Sequence, residues 1–388
     1  STAGFKVFKA PGFGTKRQML SGYKPGTWQP DKIERSKITI IGAGIAGQSV
    51  QAALLKRGFQ ATLFDSPKVA TTSNVPTMNL YPQLATVADE KSKYSISANH
   101  YAIHDNTGIK NTTLCWQSID PGKTERMQTI ARQFPDEYIS EHDNTILFHQ
   151  AGISKPITID AQRSHVASLE QVSDGWLLKD RLGQIITSTQ QVILAAGVGM
   201  NDLQPIPLQL SRGQSILAES TNQSPQNVSG DISIAQVKSQ LFHVGSTYHP
   251  GDNDLNQRAA DSTYLLDLLN RSFPLSDWSL HSSWVGIRAA PVDRNPLVGP
   301  APLWQLLEQN PFKWFHNQPI PTQKGLFYSA GFGSKGASHA PLAGEHLVNL
   351  MTGEPSPLSS SQQKFLSPGR FWLQQARQKT ARKRHQPS

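Results

Sequence analysis

The chain has 388 residues, a formal net charge of +9, a pI near 9.5 and a single cysteine. No stretch approaches the roughly 18 to 20 apolar residues that span a bilayer, and the N-terminus lacks the apolar run of a secretory leader. Cys115 alone excludes an intramolecular disulfide and points to a reducing, cytoplasmic setting. The basic balance favours an anionic partner, such as nucleic acid, an acidic membrane surface or a polyanionic substrate. The length suits two domains or one large domain with insertions.

The chain starts at Ser1 rather than Met, which suits a processed chain or a piece of a longer one. Residues 1–30 scatter Lys6, Lys9, Lys16, Arg17 and Lys24 among Gly and Pro without a helical period. They read either as a flexible arm or as a surface that touches an anion. The stretch from Tyr23 to Arg35 reads as a linker.

From Lys37 to Gly58 the pattern sharpens. The β-branched run Ile38-Thr39-Ile40-Ile41 predicts a buried parallel strand. Gly42, Gly44 and Gly47 follow as GxGxxG with Ala43, Ile45 and Ala46 between them, and a helical pattern follows in turn. In this arrangement the first glycine allows a tight turn, the second lets backbone approach a pyrophosphate, and the third lets helix pack on strand. The helix N-terminus offers free N–H groups and a positive dipole end. A second strand, Ala61 to Asp65, ends in an acid at about the 20-residue spacing expected of a ribose ligand. A lone GxGxxG is also met in ordinary glycine-rich turns; the complete strand–glycine–helix–strand–acid register predicts dinucleotide binding.

Beyond Asp65 a Ser/Thr-rich loop containing Ser73 is placed to fold under the cofactor. Helices are expected over about 92–104 and 123–134, the latter with Met127, Ile130, Ala131 and Phe134 on a core face. From Ser164, past Val166, short alternating segments broken at Ser173-Asp174-Gly175 and Leu182-Gly183 predict hairpins. The apolar run Val192–Leu194 then leads into Ala195-Ala196-Gly197, the return strand of a two-part dinucleotide fold. Residues 205–300 read as largely β, with a helix over about 257–271, and form a second, substrate-facing domain. A closing strand, 325–330, precedes Gly331, Gly333, Ser334, Lys335 and Gly336, then a helix from about Pro341 to Met351. Two glycine-rich strand–loop–helix units suggest a long cofactor held at both ends. The tail carries Arg370, Arg377, Lys379, Arg382, Lys383 and Arg384 beside Phe371 and Trp372, which reads as a phosphate-neutralising, base-stacking cluster or as a solvated end. The sequence has no HExxH or CxxC and its histidines are dispersed, so no metal is expected; no GxSxG elbow appears.

Together, Gly42–Gly47, Val192–Gly197, Gly286-Ile287-Arg288 and Gly331–Gly336 resemble the D-amino-acid-oxidase/glycine-oxidase group of FAD enzymes. Leu80–Leu84, Arg212–Gln214, Gly245–Asp252 and the segment from Gly325 through Ser367–Trp372 are similar to one subgroup. That subgroup is the FAD-dependent oxidoreductase half of bifunctional tRNA 5-methylaminomethyl-2-thiouridine biosynthesis proteins.

The resemblance implies an α/β (α+β) fold: a Rossmann-like FAD-binding domain of the glycine-oxidase type interleaved with a mainly antiparallel β substrate domain. It implies a remnant of a preceding methyltransferase domain over residues 1–24, a linker over 25–36 and the oxidoreductase over 37–372. FAD-binding parts fall at about 37–90, 160–205 and 320–355, the substrate domain at about 91–159 and 206–319, and a basic tail at 373–388.

The implied reaction is oxidative removal of a carboxymethyl group from 5-carboxymethylaminomethyluridine in tRNA. Glyoxylate leaves, and an aminomethyl group remains for a SAM-dependent methyltransferase domain, fused or separate. FAD is the implied cofactor, held by residues 42–47, Asp65, Ser73, Val166, Ala196, Gly197, Gly331, Gly333, Ser334, Lys335 and Gly336.

By the same resemblance Arg288 anchors the substrate carboxylate, although an ion pair with Asp293 is the alternative. Tyr248 orients the substrate amine or is a packed strand aromatic. Lys335, where relatives often have Arg, sits by the flavin or the carboxylate. One departure stands out: the span Ser73–Pro82 has Asn74 and Met78 where the subgroup has glycines, so crowding at the flavin ring is expected. Two alternatives remain, a small-molecule amine or amino-acid oxidase and a flavin-stabilised tRNA-binding scaffold.

Overall fold

The computed structural model describes residues 5–12, 14–23, 25–26, 36–67, 72–105, 108–155, 158, 160–204, 206, 208–221, 227–309 and 320–371. Two sheets organise these residues. One has six strands in the order Leu297–Pro302, Thr322–Ala330, Gln191–Leu194, Ile38–Ile41, Ala61–Asp65, Gln162–Arg163. Its neighbours are parallel except for the antiparallel edge strand Leu297–Pro302. Continuous burial of Ile38–Ile41 on both faces matches its unbroken apolar run.

Against this sheet lie the helices Ile45–Leu55, Glu90–His104 and Gly336–Thr352, sharing a core of Ile40, Val50, Leu54, Tyr94, Ala343 and Leu347. A polar clamp fixes the first helix to the last. Glu345 accepts from Arg57 at 2.8 Å, Lys56 at 3.1 Å and Tyr101 at 2.8 Å. Burial pushes the Glu345 carboxyl up, but these donors outweigh it and hold the group below its ordinary range.

The second sheet has ten strands and is mainly antiparallel. Its backbone is the long pair Leu208–Glu219 and Ser279–Pro291, in which Ser211 faces Arg288 and Gly213 faces Gly286. Beneath it Arg212 is fully buried. Its guanidinium binds Asp261, the Asp254 carbonyl at 2.8 Å and Gln214 at 2.9 Å, tying the 254–258 turn and the Ala259–Ser272 helix to the sheet. Breaking one such buried pair costs about 3–5 kcal/mol, so the Arg-Gly-Gln run has a structural job.

Several expectations shift. The helix after the second glycine-rich loop begins at Gly336, not near Pro341, and Pro341 lies inside it. A proline reads as a helix start because its missing N–H is harmless there; here the turn before it is already helical. Strand Leu297–Pro302 belongs with the parallel sheet, although the sequence reading puts it in the substrate domain; helix Glu90–His104 packs both on helix Gly336–Thr352 and on strands Ile109–Gln117 and Thr145–Ser154 of the large sheet. Strand Asn79–Leu80 joins the large sheet instead of the cofactor part. The 123–134 helix is found at Pro121–Ala131, with Ile130 and Ala131 buried. Near the N-terminus Lys6–Pro11 and Gln18–Tyr23 form a separate hairpin whose Val7, Phe8, Met19 and Leu20 are exposed. Among the described residues no helix is long and apolar enough to cross a membrane.

Candidate active site

A cleft of about 1000 Å³ runs along the C-terminal ends of the parallel strands, where open α/β sheets bind ligands. Its floor is built from backbone. Gly42 has φ +100°, and a Cβ there would lie 2.4 Å from the Ala195 carbonyl oxygen. The turn therefore accepts only glycine. Two helices start at this cleft, at Ile45 and Gly336, and neither has a side-chain N-cap or an acid in its first turn. Their positive ends are left to face a ligand. Asp65 accepts from the Ala43 N–H at 3.1 Å and from Arg163 at 2.9 Å. The sequence reading missed Arg163, whose guanidinium pairs with this acid. Ser73 Oγ accepts from the Ile45 N–H at 2.9 Å and so joins the 72–80 loop to the first helix.

Gly42, Gly44, Ile45, Ala46, Asp65, Ser73, Val166, Ala196, Gly197, Gly331, Gly333 and Gly336 all line this cleft. Ala43 and Gly47 are buried beside it within the turn. A glycine-floored cleft with two helix N-termini side by side, a Cβ on Gly336 lying 2.9 Å from Ile45 Cγ2, and an acid at the end of the second strand fits a dinucleotide such as FAD.

Ile45, Ser73, Gly333 and Gly336 are also walls of a second chamber, about 1200 Å³, that lies against the large sheet. Here Arg288 reaches in from Ser279–Pro291. Its guanidinium rests on Gly213: a Cβ at that position would lie 2.5 Å from Nη2. Arg288 donates to Ser246 Oγ and, at 3.4 Å, to the Thr247 carbonyl. Burial holds this guanidinium below its ordinary value, with Tyr248 acting in the opposite direction; an arginine remains cationic all the same. No carboxylate lies within ion-pair distance of it among the described residues. The alternative pairing with Asp293 is not formed, because Asp293 is held by Arg370.

Lys335 Nζ sits 3.8 Å above the Tyr81 ring, a cation–π contact. Burial pushes the Tyr81 phenol up, yet the Lys335 charge and the Ser229 hydroxyl outweigh it and bring it below its ordinary value. Tyr248 is 57% exposed, at the outer side of Arg288, so it is not a packed strand aromatic.

His243 also lines the inner chamber and was missed by the sequence reading. Burial pushes it down to about 4, so it is neutral at ordinary pH, and Nε2 has no hydrogen-bond partner among the described residues. Only its spacing, two residues before Gly245 on an alternating strand, could have signalled it. Of the two residues that replace glycines, Met78 lines the same chamber and Asn74 is exposed outside it; Asn79 also lines it while its amide donates to the carbonyls of Val228 at 2.8 Å and Ile234 at 3.0 Å.

The nucleic-acid reading of Arg370 needs correction. Its side chain is buried, grips Asp293 with two bonds of 2.8 and 3.0 Å, and donates to the Pro296 and Asn295 carbonyls. Such an arginine is spent on the fold. Arg377, Lys379, Arg382, Lys383 and Arg384 lie outside the described residues.

Comparison with known proteins agrees with this geometry. A family model described as FAD dependent oxidoreductase (DAO) matches residues 161–350. The tRNA 5-methylaminomethyl-2-thiouridine biosynthesis bifunctional protein MnmC of Maricaulis maris is 27% identical over 382 residues, covering 95% of this chain and 61% of the relative. That of Methylobacillus flagellatus is 28% identical over 418 residues, covering 96% of this chain and 64% of the relative. The chain thus spans less than two thirds of either bifunctional protein. Among solved structures, iminodiacetate oxidase from Chelativorans sp. BNC1 superposes with a TM-score of 0.68 at 17% identity, covering 86% of this chain and 99% of that one. Glycine oxidase from Geobacillus kaustophilus does so with a TM-score of 0.66 at 16% identity, covering 86% of this chain and 98% of that one. At that identity the likeness establishes the fold.

Proposed function

We propose that this chain, whose residues 161–350 match the FAD dependent oxidoreductase (DAO) family model, binds FAD and oxidises a carboxymethylamino side chain on a tRNA wobble uridine. Two-electron oxidation of the amine to an imine, followed by hydrolysis of the C=N bond by water, gives glyoxylate and 5-aminomethyluridine, the latter left for methylation. The observation that carries this reading is the unpaired Arg288 guanidinium, laid on the bare backbone of Gly213 in a chamber continuous with the dinucleotide cleft. FAD, held by the backbone of the cleft, would supply the hydride acceptor for oxidation of the substrate α-carbon.

The protein's residues orient and discriminate. Arg288 offers a planar fork to the carboxylate. Lys335, fixed over Tyr81, adds a second positive charge beside it. Asp65 and the two helix N-termini hold the dinucleotide. The neutral His243 ring adds an uncharged wall beside these cations. Relatives that carry the name of a tRNA thiouridine-biosynthesis protein support RNA as the substrate. We further propose that the exposed 6–23 hairpin belongs with the strands of a methyltransferase half.

The test is the anaerobic visible spectrum of the FAD-loaded protein before and after adding tRNA that carries 5-carboxymethylaminomethyluridine. Bleaching is expected. A spectrum that stays oxidised with this tRNA but bleaches with iminodiacetate or glycine would move the substrate to small amines.

A further inference from the structure

Outside Arg288 the site widens into a third space of about 1420 Å³. Four of its walls are cations: Lys91, Arg288, Arg294 and Lys335. No Asp or Glu lines it, and none of the four makes an ion pair among the described residues. Elsewhere the chain pairs its cations readily, as at Lys56, Arg57, Arg163, Arg212, Arg258 and Arg370. The nearest acids are already engaged. Asp89 caps the Glu90–His104 helix by accepting from Ser92 at 2.7 Å, and Asp293 is held by Arg370.

Lys91 is also badly placed for its own helix, since a cation in the first turn opposes the dipole. Burial lowers the Lys91 ammonium; Asp89 pulls it up, Arg294 lowers it further, Asp293 pulls up and Lys335 lowers, leaving it below its ordinary value. Buried His339, in the same wall, is pushed down to about 3 by burial and then by Lys335 and Lys91. A protein that gathers like charges without a counter-ion leaves their repulsion for a ligand to relieve. Arg288 and Lys335 are enough for one carboxylate. Lys91 and Arg294 are in surplus for any glycine-sized substrate.

We infer that this outer chamber binds the phosphodiester groups flanking the reacting nucleotide, with Lys91 and Arg294 as the anion ligands. The inference rests on the reading above that the substrate side chain is carried by RNA. The half-exposed Tyr248 ring in the same wall suits an unstacked base, since single-stranded RNA is held by aromatic stacking beside backbone contacts. Phosphate contacts position without reading sequence, so they would fix the register of the strand while Arg288 takes the side-chain carboxylate.

The experiment uses the FAD-loaded full chain and its Lys91→Gln and Arg294→Gln variants. Anaerobic flavin reduction is followed with tRNA bearing 5-carboxymethylaminomethyluridine and with the free nucleoside, and tRNA binding is measured by fluorescence anisotropy across salt concentrations. Each variant should weaken tRNA binding about tenfold, and its loss in kcat/KM on tRNA should exceed its loss on the nucleoside by the same factor. The slope of log K against log salt should become shallower by about 1 per cation removed. Lys91→Arg should retain tRNA binding. Equal losses on both substrates, or an unchanged salt slope, would overturn the docking site and leave the tRNA reading standing. Failure of tRNA to reduce the flavin of the unsubstituted protein would instead remove that reading, and this inference with it.

Discussion

The two halves of the site are built from different materials. The dinucleotide cleft is made largely of backbone: a glycine turn, two helix starts whose own N-cap residues offer no side-chain cap, and small residues at strand ends, each set by a short local segment at 41–46, 195–199 or 329–336. The chamber against the large sheet is made of side chains that arrive from far apart: Tyr81, His243, Arg288 and Lys335, with Gly213 leaving room for the arginine. Backbone geometry tolerates few residue types, so a cleft of the first kind is stringent and local. A chamber of the second kind is adjustable, and its chemistry can be retuned one side chain at a time.

The strongest way to break the contrast is at Gly42. A Gly42→Val substitution puts a branched side chain where even a Cβ lies 2.4 Å from backbone, at a φ of +100° that β-branched residues avoid. Loss of flavin binding is expected, read as loss of visible absorbance after incubation with FAD and gel filtration, with the other half of the site lost alongside. Retained stoichiometric flavin would mean that the cleft is not where the dinucleotide sits.

This difference also governs what could be read from the chain. The register Ile38 to Asp65, the return strand before Gly197 and the late glycine loop were legible because each is a local backbone requirement. The hairpins over 168–189 were legible from alternation and turns. By contrast, strands Ile109–Gln117 and Thr145–Ser154 went unread: their polarity is mixed and their partners lie tens of residues away. Arg370 illustrates the limit on side chains. Within a basic cluster it looks like a phosphate ligand, and only the fold brings Asp293, 77 residues away, against it. Lys91 and Arg294 failed to register for the opposite reason: what distinguishes them is the absence of a partner, which no linear pattern records. Arg288 was reachable only through its Gly-Ile-Arg context.

Next in size is the removal of that cation. Arg288→Ala deletes a charged donor pair from the chamber without touching the cleft. Hydrogen bonds to charged groups are each worth about 1.5–3 kcal/mol, so kcat/KM should fall roughly 100-fold while FAD content and its spectrum stay as they were. Loss of flavin in this variant would show that the two halves are not separable. Undiminished turnover would take Arg288 out of the substrate site.

The finest test asks whether the chamber depends on backbone after all, through Gly213. Its φ is not in the left-handed region, so alanine is allowed conformationally; the obstacle is space. The atoms met by the new methyl group, 2.5 to 2.8 Å away, belong to the far end of the Arg288 side chain and not to main chain. A guanidinium on a flexible stem can move, and the sheet pairing of Gly213 with Gly286 need not. Gly213→Ala should therefore fold and hold FAD, but with the Arg288 fork pushed off its bed by a fraction of an ångström or more. Overpacking of this kind costs about 1 kcal/mol or somewhat more, so a roughly fivefold to tenfold rise in KM is expected. Because the damage acts through Arg288, the double variant Gly213→Ala/Arg288→Ala should be no worse than Arg288→Ala alone. Additive losses would mean that Gly213 serves the chamber by some route other than making room for the arginine.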